Sequence, residues 1–288
     1  MGKGKIGKIR CLAQSCFVLD KIRLFHYNIP MSHVFDFNDA QAYDRWLKKD
    51  GNQRIVDLEN RLLVEMLRPK FGDRLLDIGC GAGASLKPFL GRGIQLTGVD
   101  PSPYMLDIAK KNVGHRVDLR RASAEDLPFE DNSFDYAVFC LSLEFMEDPK
   151  KALEEACRVA KDGVFVGILN KYAWIAFQRR IRGIFMTTVY NRARFFSINE
   201  IKSLLVGLLG PVPIDWQTTA HFYPMSGPLI ERFEGSRFAR KSPFGAFAGI
   251  MATPVPRFRT QPLELKVPAK PIQANSRPVS CAEKKTEG

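Results

Sequence analysis

Three glycines, Gly79, Gly81 and Gly83, alternate directly after a short apolar run, Arg74 to Ile78. Omitting the side chain at every second position lets bare backbone come close to a ligand where a strand gives way to a helix N-terminus. The loop alone leaves three readings open. It suits an adenosine-containing cofactor. It also fits the nicotinamide-dinucleotide pattern G-x-G-x-x-G/A, because Ala84 can take the last small position, and it fits a plain strand-to-helix turn. Asp100 narrows the choice. It closes the next apolar run, 21 positions after Gly79, where a carboxylate can accept both hydroxyls of a ribose. Helix capping is its bland alternative, but Ser102 is better placed for that role. Asp77 stands two residues before the first glycine, at a strand position that a dinucleotide loop usually keeps apolar. A carboxylate there can reach a cationic amino group on the ligand.

These residues need a scaffold that brings them to one edge. Apolar spacing predicts a helix over 53–68, ended by Pro69 and Gly72. Strands follow at 74–78, 94–99, 117–120, 134–141 and 163–169. Helices fall between them at 85–90, at 103–112 with Ser102 as N-cap and Pro103 first, and at 149–160. Strands alternating with helices imply a doubly wound parallel sheet, in which ligands sit at the carboxyl ends of the strands. Beyond this core, Ser197 with Glu200 three residues later predicts a capping box opening a helix. Segments 212–218 and 247–252 read as a final pair of strands.

The motifs resemble those of the class I methyltransferases, in particular the group that includes the ubiquinone and menaquinone C-methyltransferases. The resemblance covers about residues 40 to 205. Leu75-Leu76-Asp77-Ile78-Gly79-Cys80-Gly81-Ala82-Gly83 is similar to the first motif of that group, and Gly98-Val99-Asp100-Pro101-Ser102-Pro103-Tyr104-Met105-Leu106 to its ribose-binding strand end. Ala124-Glu125-Asp126-Leu127-Pro128-Phe129 resembles the loop lying on the adenine, and Leu143-Glu144-Phe145-Met146-Glu147-Asp148-Pro149 the segment after the fourth strand. The resemblance implies a Rossmann-like, seven-stranded, mostly parallel α/β sheet with helices on both faces and an antiparallel last strand. It implies S-adenosyl-L-methionine as cofactor, held by Asp77, Gly79, Cys80, Gly81, Gly83, Asp100, Pro101, Met105, Ser123, Ala124, Glu125 and Cys140. The sequence departs from the pattern in four places. Ala82 stands where threonine is common, and Ser123 where an aspartate often meets the adenine amine. Phe145 replaces a frequent histidine, so no histidine base is assigned. Lys161-Asp162-Gly163 replaces the usual Pro-Gly-Gly turn.

The acceptor side is less defined. Glu144 and Tyr43 are the candidate catalytic residues, and Tyr43, Trp46, Asn170 and Trp174 the candidate substrate contacts. Tyr43 and Trp46 equally fit a simple lid, and Glu144 equally fits a solvated or helix-capping carboxylate. No Asn/Asp-Pro-Pro-Tyr/Phe cradle follows the fourth strand and no Pro-Cys nucleophile pair occurs, which disfavours adenine, glutamine and covalent cytosine methylation. A small-molecule acceptor is the expectation. The alternatives are a non-catalytic cofactor-binding protein, an RNA-associated methyltransferase and a nucleotide-dependent oxidoreductase, the last disfavoured by Asp77 and the Ala124-Glu125-Asp126 segment.

Charge bears on partners. The net charge is +12 over 288 residues, but residues 1–30 carry +5 and residues 257–288 carry +4, so a basic nucleic-acid face on the folded domain is not expected. Segment 171–194 is the exception, with six Lys/Arg, no acid, and Tyr172, Trp174, Phe177, Phe185 and Tyr190 interleaved. It reads either as a solvated basic helix over the pocket or as a contact for an anionic or lipid-like acceptor or a membrane surface. Six scattered cysteines and four histidines suggest reduced thiols, no metal centre and a cytoplasmic location. The expected organisation is a basic N-terminal extension at 1–30, a methyltransferase domain at 31–256 and a disordered tail at 257–288. Within the domain, 31–70 would form lid helices, 71–170 the cofactor-binding core, and 171–256 the substrate side and final strands.

Overall fold

The computed structural model describes residues 34–173, 193–222, 225 and 227–254. The chain divides into Met1–Pro256 and Arg257–Gly288, and every described residue belongs to the first unit.

Among the described residues seven strands form one sheet: β1 (Arg74–Ile78), β2 (Gln95–Asp100), β3 (Asp118–Arg121), β4 (Phe134–Cys140), β5 (Ala160–Leu169), β6 (Ile214–Thr219) and β7 (Phe247–Ala252). Their order is β3-β2-β1-β4-β5-β7-β6. β1 to β5 pair in parallel, and β7 runs antiparallel to both β5 and β6. The carboxyl ends of β1, β2, β4, β5 and β6 therefore share one edge, where Ile78, Asp100, Cys140, Leu169 and Thr219 end their strands.

Among the described residues the helices are α1 (Phe37–Leu47), α2 (Asp50–Leu67), α3 (Pro103–Val113), α4 (Pro149–Val159), α5 (Ile198–Leu209), α6 (Pro228–Glu234) and α7 (Arg237–Arg240). One apolar layer joins α4 and α5 to the sheet through Leu153, Ala156, Ile201 and Leu205 against Phe139, Val164 and Ile250. The other places Leu62, Leu63 and Leu67 of α2 against Leu75, Phe165 and Phe247. Both faces of the sheet are thus covered, which explains strands apolar on both sides. The capping box predicted from Ser197 and Glu200 is formed in full, and Ser102 caps α3 by accepting from the Met105 N–H at 3.3 Å.

Two expectations fail locally. Residues 85–90 form no α-helix, only a 3₁₀ turn at Lys87–Phe89. Pro88 has no N–H to give the carbonyl of Ala84, which is instead taken by the Asn60 side-chain amide at 3.2 Å. Gly91 and Gly93, both at positive φ, end the turn. The glycine loop thus leads into turns rather than a helix N-terminus, and a groove of about 680 Å³ opens between this segment and α2. The second difference is β5, which begins at Ala160, three residues early. α4 passes straight into it, and its register against β4 slips between Phe134 and Tyr136. No helix among the described residues is long and apolar enough to cross a membrane.

Candidate functional site

The three loop glycines have three different uses. At Gly79 a Cβ would lie 2.6 Å from the Ser142 Cβ, and at Gly83 one would lie 3.0 Å from Val113. Those two let the loop close onto the chain after β4 and onto α3. Only Gly81 faces open space, at φ +51°. Bare backbone is thus offered to a ligand at one position, not three. The loop is held by N–H groups of Gly79 and Cys80 donating to the Val99 carbonyl at 2.8 and 2.9 Å, and by Asn112 donating to the Ala82 carbonyl at 2.9 Å. Ser142 Oγ donates to the Ile78 carbonyl at 2.6 Å and ties β4 to the same turn.

Asp77 is 1% exposed. Its Oδ2 accepts from Ser85 Oγ, while Oδ1 is buried with no partner. Burial pushes its carboxyl up to about 7, against the lowering effect of the Ser85 bond. A buried acceptor without a donor is costly unless a ligand supplies one. Asp100 ends β2 with Oδ2 accepting from Gly81 N–H at 2.9 Å and Oδ1 from Ser102 N–H at 2.9 Å. Asp100 therefore braces the glycine loop and the turn before α3, while Ser102 does the capping, and each Asp100 oxygen keeps a further lone pair. Burial raises the Asp100 carboxyl although both N–H bonds pull it down.

A strap crosses these groups. Ser102 Oγ donates to the Phe35 carbonyl at 2.6 Å. The Phe35 ring meets Tyr43 edge-on at 6.4 Å and Phe145 at 5.4 Å. Tyr43 stacks on Trp46 at 5.8 Å, and Trp46 packs on the small cluster of Ile55, Ala173, Ala220 and Ala246. The pair thus spans from the chain after β2 to the segments after β5 and β6.

Several expected cofactor contacts are placed otherwise. Cys80 is buried against Gly98, where a Cβ would meet its sulfur at 2.9 Å. Burial holds its thiol well above the usual range, so the side chain is core. Cys140 at the end of β4 is likewise pushed up by burial, then by Glu59, Asp77 and Glu144. Ser123 Oγ donates to Glu125, and Glu125 Oε1 accepts from Glu147 N–H at 3.1 Å and Asp148 N–H at 3.4 Å. The two bind each other and the chain before α4, while Ala124 between them is buried in the core. Pro101 follows Asp100 directly, and Met105 is buried in the first turn of α3.

On the acceptor side, Glu144 neither caps α4 nor faces solvent. Asp148 caps α4 by accepting from Lys150 and Lys151 N–H. Glu144 is 1% exposed. Its Oε1 accepts from Leu169 N–H at 2.7 Å, its Oε2 is buried without a partner, and burial raises it to about 7. Asn170 is not available to a substrate. Its amide donates to the carbonyls of Pro243 at 2.7 Å and Gly245 at 2.9 Å, and its oxygen accepts from Tyr172 N–H at 3.2 Å. Those bonds consume its side chain in joining β5 to the approach to β7. Trp174 and most of 171–194 lie outside the described residues.

Sequence reasoning missed Ser85, Ser142, Asn60 and Asn112, whose partners lie 8 to 64 residues away and leave no local pattern. No group of three metal-ligating side chains occurs among the described residues.

The profile of the methyltransferase domain family matches residues 76–168, which carry Asp77, the three glycines, Asp100 and Glu144. An uncharacterized protein of Methanocaldococcus jannaschii is 37% identical over 177 residues, 60% of this chain and 78% of its own. The chain belongs to the methyltransferase domain family. A demethylmenaquinone methyltransferase of Paenarthrobacter aurescens is 36% identical over 103 residues, which are 36% of this chain and 40% of that enzyme. A crystal structure of a SAM-dependent methyltransferase of Thermotoga maritima, titled a possible histamine N-methyltransferase, superposes with a TM-score of 0.64 at 29% identity. It covers 77% of this chain and 99% of its own. The protein is an S-adenosylmethionine-dependent methyltransferase. The residues present fit that cofactor: Asp77 Oδ1 lacks a donor that the cationic amino group brings, and Gly81 opens beside an Asp100 carboxylate with lone pairs to spare.

Proposed function

We propose that this methyltransferase acts on a small, hydrophobic or anionic acceptor bound beside the chain after β4, and that Glu144 takes the proton the acceptor loses. The observation that carries the reading is Glu144 itself. It is a buried carboxyl with one oxygen fixed by Leu169 N–H and the other unpartnered, raised to about 7. A base poised near the working pH is the form that assists proton removal best.

S-adenosylmethionine supplies a methyl group on a sulfonium, and its transfer leaves a neutral thioether. The chain's own part is to position. Asp77 Oδ1 would bind the amino group and Asp100 the ribose hydroxyls, with the Gly81 and Ala124 backbone alongside. Tyr43 and Trp46 would close over the acceptor and exclude water, holding the acceptor atom in line with the methyl group it would take from sulfur. Alignment of this kind lowers a barrier by roughly 7–11 kcal/mol. The relative named as a demethylmenaquinone methyltransferase supports a hydrophobic acceptor, and the basic, aromatic segment 171–194 supports an anionic or membrane-borne one.

Turnover of a small-molecule extract with labelled cofactor tests this. The wild-type chain should label a small product, and Glu144→Gln should lower kcat about 10²–10⁴-fold with unchanged cofactor affinity. An equal rate for the variant would remove Glu144 from the reaction. A thermal response to cofactor with no labelled product would favour a binding protein without turnover.

A further inference from the structure

The chain between β6 and β7 leaves the sheet at Thr219 and returns at Phe247. It is firmly tied to the fold. Glu234 accepts from the N–H groups of Ala220 at 3.0 Å and His221 at 2.6 Å, and pairs with the His221 ring at 3.0 Å. Arg240 pairs with Glu65 of α2, and Lys241 with Asp215 at the start of β6. On this anchored excursion large apolar side chains stand in water: Leu229 is 83% exposed, Phe238 79% and Phe244 63%, with Phe222 at 41%. With Met225 at 59%, five such residues on one excursion exceed the scatter of single exposed apolar side chains that a folded surface tolerates.

Arg232 and Arg237 lie among them, both exposed, and neither forms an ion pair with a described residue. Arg232 is three residues after Leu229 on α6, so the two share a helix face; Arg237 directly precedes Phe238. Apolar groups interleaved with unpaired cations call for an anionic, partly apolar partner. The chain offers none from the stretches outside the described residues: 1–33, 174–192 and 255–288 carry +5, +4 and +4. A second copy meeting this face with its own would set like charges together.

We infer that the α6–α7 excursion is a docking surface for an anionic lipid bilayer, with Leu229, Phe238, Phe244 and Phe222 entering the interface and Arg232 and Arg237 meeting the headgroups. The surface is distinct from segment 171–194 and does not depend on Glu144. It follows the same pattern as other interfacial elements, in which buried apolar area and attraction to anionic headgroups act together.

Flotation of the full chain with vesicles of phosphatidylcholine alone, and with phosphatidylserine added, tests the assignment. The wild-type chain should float with the anionic vesicles and not with the neutral ones. Leu229→Ser/Phe238→Ser and Arg232→Glu/Arg237→Glu should each weaken binding at least ~tenfold, the first by removing inserted apolar area and the second by reversing the charge that meets the headgroups. Both variants should keep the thermal shift given by S-adenosylmethionine, which shows that they fold and that the cofactor reading stands independently. Binding retained by both variants, equal binding to both vesicles, no flotation, or a concentration-dependent dimer lost in the variants would each overturn the inference.

Discussion

The two halves of the carboxyl edge are built differently. Around β1 and β2 the proposed cofactor-side groups lie close in sequence, from Asp77 to Met105, and the bond between two of them, Gly81 N–H to Asp100, spans 19 residues. Around β4, β5 and β6 the groups are joined across longer stretches: Glu144 to Leu169 over 25 residues, Asn170 to Pro243 over 73. Yet both halves hold the same device, a buried carboxyl bonded at one oxygen, unpartnered at the other and raised to about 7.

The comparison can be broken at its strongest point. Asp77→Asn should cost about 10²–10⁴-fold in cofactor affinity by calorimetry, because a cation bound in a buried site would lose its proposed carboxylate partner, worth roughly 3–5 kcal/mol. The unliganded protein should melt no lower than wild type, since the change removes a buried group with an unmatched oxygen. A variant with unchanged affinity would show that Asp77 serves only the fold.

Asn170→Ala should do the reverse. It leaves the buried Gly245 carbonyl without its Asn170 donor, at about 1–3 kcal/mol, and should lower Tm by several degrees while leaving cofactor affinity intact. A large loss of affinity with normal Tm would return Asn170 to the ligand.

The glycines sharpen the contrast within the cofactor half. Gly79→Ala forces a Cβ to 2.6 Å from Ser142 and should destabilise by about 1–3 kcal/mol. Gly81→Ala meets no atom within 4 Å and pays only for its positive φ, roughly 1 kcal/mol, so its larger effect should be on cofactor binding. Equal effects on Tm from both substitutions would erase the distinction.

The smallest effect per step is with pH. Asp77 and Glu144 both have folded values raised from the ordinary carboxyl range to about 7. Their contribution to stability is therefore complete below the unfolded value and is lost as pH rises through about 7. Denaturant unfolding should show stability falling between about pH 4 and 7, with a shallower fall in Asp77→Asn and in Glu144→Gln. Cofactor affinity should move the other way. Below about 7 the Asp77 carboxyl must release a proton to bind a cation, so affinity should rise with pH up to that point and become flat in Asp77→Asn.

Much of the fold could be read from the residues. Apolar alternation and caps located β1, β2, β4, α3, α4 and the final strand pair to within a residue or two, because each is specified by its own local pattern. The segment after the glycine loop could not be read this way. Its apolar positions fit a helix, and only the competition of Asn60 for the Ala84 carbonyl, from another element, shows why Pro88 ends it as a turn.

The same division holds for the site. Sequence by itself determined the cofactor class, through the motif resemblance carried around Asp77, Gly81 and Asp100, and predicted the carboxyl edge of the sheet as the place for it. Tertiary structure alone decided that Gly79 and Gly83 serve packing, that Asn170 is a brace, that Cys80 is core, and that Glu144 is buried with one oxygen unpartnered. Each of these depends on what a distant segment places against the residue, and hydrogen bonding and burial of that kind have no signature in the residue's own neighbourhood.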